Sequence, residues 1–262
     1  MIEHPAFPVE PWGIRETSLD LGVLGQAESL FALSNGHIGL RGNLDEGEPH
    51  GLPGSYLNGF FEGRPLPYSE AGYGYPEAGE TVVNVTDGKV IRLLVDDEPF
   101  DVRYGTLLSH ERLLDFRAGV LRRRARWQSP ANCTVQVSST RLVSLAQRAV
   151  AAVLYEVEPV GREADVVVQS ELAANEPLPP QDQDPRTATV LRSLLRSEQF
   201  GHHDQRVVLI HATGASRLRL AAGMDHVVDG PADTELRTES GPDLGRLIIS
   251  AHLGPGPRLR LI

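Results

Sequence analysis

The sequence predicts an all-β fold, a large antiparallel β-sandwich of the super-sandwich kind with room for one short helix. Three observations carry this. Apolar and polar residues alternate in many short runs, and turn residues separate the runs at the even spacing of sandwiches and barrels. The chain has 26 Gly and 19 Pro, spread along its length rather than gathered in a linker. Asn35-Gly36 lies between two apolar runs, the strongest short-range hairpin signal, because a two-residue turn of this kind needs positive φ. At 262 residues and 40% hydrophobic content the chain can bury a core, and 1–262 is read as one β-sandwich domain.

In chain order, Met1–Gly13 is an extended lead-in in which Pro5, Pro8 and Pro11 oppose regular pairing. Ile14–Leu24 is expected as a first strand. A tight turn at Asn35-Gly36 would oppose Ser34 to His37, Leu33 to Ile38 and Phe31 to Leu40. Phe31, Leu33, Ile38 and Leu40 then share the core face. Ala32 and Gly39 would form a small-residue face on the other side, suited to close approach of a partner. Tyr56–Phe61, with Asn58-Gly59 inside it, is left between a second hairpin and a bulged strand. Regularity lapses over Arg64–Glu80, a loop with Tyr68, Tyr73 and Tyr75. Thr81–Val85 and Val90–Val95 read as a hairpin with Asp87-Gly88 at its tip. Leu107–Phe116, Val120–Trp127, Thr134–Val143, Ala149–Glu158 and Ala164–Leu172 follow as strands. Thr187–Phe200 has Leu191, Leu194 and Leu195 at helical spacing and is assigned the short helix. Leu218, Leu220, Ala222 and Met224 alternate with polar neighbours, as do Leu259 and Leu261. The chain stops at Ile262 inside that last run, which reads as a piece of something longer.

The formal net charge of −10 argues against nucleic acid as a partner. Lys89 is the sole lysine, a composition bias without mechanistic content. Arg122-Arg123-Arg124 with Arg126 is expected to be a surface ladder split between two strand faces. Cys133 is the sole cysteine, so no intrachain disulfide forms, and its alternating surroundings make it a packed residue. The first residues lack the basic start and apolar core of an export signal, and the longest apolar run, Ala149–Tyr155, is too short to span a bilayer. A cytoplasmic protein without membrane contact is the simplest reading. Asn84-Val85-Thr86 and Asn132-Cys133-Thr134 then match the glycosylation pattern by chance.

Acid–base catalysis calls for a proton-donating group with a second carboxylate or a histidine nearby. Asp45 with Glu46, Asp96 with Asp97, and His110 with Glu111 are the candidate pairs. The two acidic pairs fall in expected turns, where acids serve local hydrogen bonding and solvation. His202-His203-Asp204 is the most metal-like cluster, but adjacent side chains of an extended chain point to opposite faces, so no metal site is assigned. Neither a phosphate-cradling glycine loop nor a serine-nucleophile motif is present. No catalytic residue is therefore assigned.

Glu28–Gly47, read as ESLFALSNGHIGLRGNLDEG, resembles the N-terminal signature of the family-65 glycoside hydrolases and phosphorylases, the maltose, trehalose and kojibiose phosphorylase group. GSYLNGFFEG at Gly54–Gly63, YGYP at Tyr73–Pro76, IRLLVDDEPFDV at Ile91–Val102, and the runs Glu111–Arg126 and Arg141–Glu158 agree in order. The resemblance implies an N-terminal β-sandwich whose parent also carries an (α/α)6 catalytic barrel, absent from this sequence. It implies inorganic phosphate as co-substrate of a phosphorylase parent and no other cofactor. The positions carried over are the signature residues Glu28, Asn35, Gly36, Gly39, Arg41, Gly42 and Asn43. Tyr68, Tyr73 and Tyr75 are candidates for contact with the catalytic domain or a sugar. The expected partners are the parent's own barrel, a disaccharide bound through it, and a second copy in a homodimer. The alternative is a free-standing carbohydrate-binding sandwich.

Overall fold

The computed structural model describes residues 5–65, 74, 78–176 and 195–262. Two antiparallel sheets form the sandwich. The larger has eight strands in the order Val9–Glu10, Gly13–Glu16, Thr106–Asp115, Val120–Gln128, Thr134–Val143, Ala151–Val160, Leu259–Leu261 and Val228–Asp229. The smaller has five, Glu235–Ser240, Leu244–Leu253, Ala164–Ala173, Asp87–Val95 and Glu98–Pro99. Three small sheets complete the described residues: Leu195–His203 with Arg206–Thr213 and Arg219–Met224; Leu33–Ser34 with Ile38–Leu40 and Ser55–Leu57; and Phe61–Pro65 with Ala78–Val82. The expected all-β architecture is the one observed.

Strand alternation builds the core. Ala125 and Trp127, Val135 and Val137, and Tyr155 and Val157 of the large sheet meet Ile91, Leu93, Val166, Val168, Leu247 and Ile249 of the small one. All are buried, and burial of a large apolar side chain is worth about 1.5–3 kcal/mol. Phe100 packs edge-on against Trp127 at 5.3 Å, and the indole N–H donates to the Tyr104 carbonyl at 2.6 Å. Cys133 is buried in the same cluster, as its alternation predicts. Further along the inner face, Leu114, Leu121 and Val143 are covered instead by Ala27, Phe31, Leu33 and Leu40 of the signature segment.

Several expectations are corrected. The Ile14–Leu24 strand ends at Glu16, and a 3-10 turn at Leu21–Val23 leads into the helix Leu24–Leu30. The Asp20 side chain caps the turn by accepting from the Gly22 N–H at 2.8 Å. Leu24, Ala27, Glu28 and Phe31 are all buried at helical spacing, a pattern hidden by the strand reading. The short helix therefore lies there. Of Thr187–Phe200, the described part belongs to the strand Leu195–His203, and 187–194 lies outside the described residues.

The signature hairpin pairs Leu33 with Leu40 and Ser34 with Gly39, two residues away from the tight-turn register. The Asn35 side chain is the cause. Its Oδ1 accepts from the N–H groups of His37 and Ile38 at 2.9 and 2.8 Å, so the loop closes over four residues rather than two. A slip of two preserves the face, and Leu33, Ile38 and Leu40 still join Phe31 in one cluster. Ala32 is exposed but does not oppose Gly39, which pairs with Ser34 and Tyr56.

The Asp87-Gly88 hairpin does not form. Asp87–Val95 is one strand paired with Ala164–Ala173, and Ala78–Val82 pairs with Phe61–Pro65. The tip was misread because Asp87 is buried and neutralised by Lys89 two residues on, on the same face. Asn58-Gly59 is a corner between strands with different partners, with Gly59 at φ +77°. The turn at Asp96-Asp97 is as expected, both residues having positive φ, 49° and 64°.

Candidate functional site

The signature residues lie under the sandwich, against the inner face of the large sheet, and are tied down by polar contacts. Glu28 projects from the helix with no exposure to solvent. Its carboxylate accepts from the Gly51 N–H at 3.0 Å and from Arg41 at 3.3 Å. Arg41 also donates to the Gly25 carbonyl at 2.8 Å and to Ser29 at 3.0 Å, closing the helix onto the hairpin. Gly42 sits where a Cβ would stand 2.4 Å from the Phe31 Cβ, so no larger residue fits. Asn43 donates to the Leu52 carbonyl at 3.0 Å. Asn35, besides closing its own loop, donates to the carbonyls of Ser144 at 2.6 Å and Arg148 at 2.9 Å. Gly36 has φ +84°, as its turn position requires. At Gly39 a Cβ would find only ordinary contacts at 3.9 Å. The structure thus brings Glu28, Arg41, Gly42 and Asn43 into one knot, with Asn35 and Gly36 at the hairpin tip. Tyr68, Tyr73 and Tyr75 lie outside the described residues.

Beside this knot runs a buried belt of ions. One register row crosses the large sheet through Glu16, Arg112, Arg123, Ser139 and Tyr155. Arg112 holds Glu16 at 2.6 and 3.0 Å and donates to the Gly42 carbonyl at 2.7 Å. Arg123 holds Glu46 at 2.5 and 2.9 Å and Asp45 at 3.2 Å. Arg141 and Ser139 complete the shell of Asp45 at 2.9 and 2.7 Å. Three arginines thus face the three carboxylates Glu16, Asp45 and Glu46, all buried. Burial pushes the Asp45 carboxyl up, but Arg141, Arg123 and Ser139 outweigh it and hold it below the ordinary range. Glu16 is likewise held down, burial being outweighed by His110 and Arg112. Burial lowers His110, which lies 2.8 Å from Glu16.

Two expectations fail here. Asp45-Glu46 is not a solvated turn pair, and Arg123 is not part of a surface ladder, although Arg122, Arg124 and Arg126 are exposed. The signal was present in the parity. Leu121, Arg123, Ala125 and Trp127 share one face, as do Val135, Val137, Ser139, Arg141 and Val143. An arginine in an apolar series on an inward face announces a buried carboxylate partner.

A small pocket adjoins the belt, lined by Asn43, His50, Asp87, Lys89 and Glu176 among others. Lys89 is buried and ion-paired with Asp87, whose Oδ1 also accepts the Lys89 N–H at 2.9 Å. Burial raises the Glu176 carboxyl to about 7, and the neighbouring Asp87 charge adds to this. Glu176 thus has the acidity of a general acid, which residue spacing did not reveal. The pocket has room for about one water molecule, so a pyranose ring cannot reach it.

The remaining candidates are dispersed. His202 meets Ser240 at 2.9 Å, while the exposed His203 lies against Asp204 at 3.2 Å. Glu111 is exposed and bonded to Arg15 at 2.7 Å, on the face opposite buried His110. Among the described residues no three His, Cys, Asp or Glu side chains converge as a metal site would require. No described helix is long and apolar enough to cross a membrane.

The chain is 59% identical over its full length to an uncharacterized glycosyl hydrolase of Mycobacterium tuberculosis, covering 33% of that protein. It is 30% identical to the α,α-trehalose phosphorylase of Thermoanaerobacter brockii over 97% of this chain and 34% of that protein. A putative kojibiose phosphorylase from the human microbiome superposes with a TM-score of 0.82 over 98% of this chain and 32% of the other, at 19% identity. The chain spans about a third of the length of these relatives. The family described as glycosyl hydrolase family 65, N-terminal domain, matches residues 14–262, and the chain belongs to that family.

Proposed function

We propose that the chain is the non-catalytic N-terminal domain of a cytoplasmic α-glucoside phosphorylase or hydrolase, and that it supports and orients an (α/α)6 catalytic domain elsewhere in the parent. One observation carries this reading: the carboxylates of the signature region are spent on internal arginines. Asp45, Glu46 and Glu16 are buried and each is bound by an arginine, so none is free to reach and protonate a glycosidic oxygen. Glu176 has suitable acidity but faces a space that excludes a sugar. The relatives' extra length supports a second domain as the seat of chemistry, with inorganic phosphate as the co-substrate of a phosphorylase parent.

Glu176→Gln in the full-length parent tests this. The expected result is a kcat within about threefold of the parent per folded molecule, since general-acid loss typically costs 10²–10⁴-fold. A drop of a thousandfold with unchanged KM and an intact fold would place the chemistry in this domain and overturn the reading.

A further inference from the structure

The turn that joins Thr134–Val143 to Ala151–Val160 exposes an apolar surface in a fixed shape. Leu145, Ala146, Ala149, Val150 and Ala151 are all exposed, Leu145 at 85% and Val150 at 49%. A flexible loop could fold such residues away; this one is held open. The Ser144 N–H donates to the Val150 carbonyl at 2.9 Å, the Val150 N–H donates to the Gln147 carbonyl at 2.9 Å, and the Gln147 N–H donates to the Ser144 hydroxyl at 3.0 Å. From beneath, the Asn35 amide grips the carbonyls of Ser144 and Arg148. The signature hairpin therefore sets the orientation of an apolar ridge that the domain's own core does not use.

We propose that this ridge, Leu145–Ala151, is the docking surface for the part of the parent chain that the relatives possess beyond the third matched here. The inference rests on the reading of the chain as one domain of a longer enzyme. The size of the patch selects the occupant. Five small and medium apolar residues fall well short of the roughly 800 Å² per partner that a stable complex between separate proteins buries. A tethered domain needs less, because the linker supplies an effective concentration in the millimolar range. Contacts between domains of one chain are correspondingly small. The fixed shape of the ridge falls to Asn35: its two donor bonds to the turn make it a positioning residue.

The test uses the full-length parent with Leu145→Cys, and with His203→Cys as a reference at a side chain that is 85% exposed in this domain. Within residues 1–262 the one cysteine, Cys133, is buried, and the unsubstituted parent, labelled in parallel, supplies the background rate. Native maleimide labelling of Leu145→Cys is expected to be at least tenfold slower than that of the reference, independent of protein concentration. Equal rates overturn the proposal, and protection that disappears on dilution overturns it by assigning the ridge to a second copy. A second variant, Leu145→Asp with Val150→Asp, should speed proteolytic cutting between the domains at least tenfold, and an unchanged cutting rate contradicts the docking surface. Labelling needs no turnover. Equal rates in an active parent thus discard this surface alone, whereas activity residing within residues 1–262 discards the underlying reading.

Discussion

Arg123 grips Glu46 through both terminal nitrogens, at 2.5 and 2.9 Å, with both residues buried. The same guanidinium reaches Asp45 at 3.2 Å. Removing the arginine strands two buried carboxylates, and breaking a buried pair typically costs 3–5 kcal/mol. Arg123→Met should therefore destabilise the chain by about that amount. Arg123→Met with Glu46→Leu should recover part of it, although Asp45 remains. Urea unfolding of the single and double variants measures the difference, and additive losses would mean that the pair is not coupled.

Gly42 and Gly39 both belong to the signature but serve it differently. Gly42→Ala would push a methyl to 2.4 Å from the Phe31 Cβ and 2.8 Å from its carbonyl oxygen. Overpacking of this kind costs about 1–3 kcal/mol. Gly39→Ala meets nothing closer than 3.9 Å and should change stability by less than about 0.5 kcal/mol. Equal effects in a thermal melt would refute the packing account of the signature glycines.

Asn35 uses both ends of its amide. Asn35→Asp keeps the acceptor for His37 and Ile38 but turns a carboxylate toward the Ser144 and Arg148 carbonyls. Losing two donor bonds and placing like polarity together should cost about 2–3 kcal/mol. Hydrogen exchange should show the loss concentrated in 144–150, and uniform loosening would argue against the tie.

The acid and neutral limbs of the stability profile have separate owners. Glu176 has its folded value raised to about 7, so the folded state binds this proton more tightly than the unfolded chain. Stability should fall as pH rises from about 4.5 to 7 on this account. Burial is the main cause, Asp87 adds to it, and Lys89 and Arg92 oppose it. Glu16, Asp45, Glu62 and Asp87 are depressed, each raised by burial but lowered more by its partners. Their contribution is present above the unfolded carboxylate range and is lost as pH falls below about 4. Glu176→Gln should flatten the neutral limb and leave the acid limb in place; an unaltered slope between pH 5 and 7 would show that Glu176 is not the group titrating.

Period-two alternation made most long strands legible, from Leu107 to Leu172, because half-buried antiparallel strands write their burial into every second residue. The helix at Leu24–Leu30 was missed because a seven-residue helix shows barely two turns of periodicity beside a strongly β-like neighbourhood. The hairpin register depended on a side chain, Asn35, competing with the backbone turn. Asp87 and Lys89 looked like turn residues because one residue's polarity does not say whether its neighbour neutralises it. The signature positions were visible as a motif, while their partners Glu16, Arg112, Arg123 and Arg141 were visible only in strand parity.

On the reading proposed above, this domain carries no glycosidic chemistry of its own. Purified chain and full-length parent should be incubated with maltose, trehalose and kojibiose, with and without inorganic phosphate, and assayed for glucose and glucose 1-phosphate. Release by the parent and none above buffer by the chain is the expected result; steady turnover by the purified chain would overturn the non-catalytic reading.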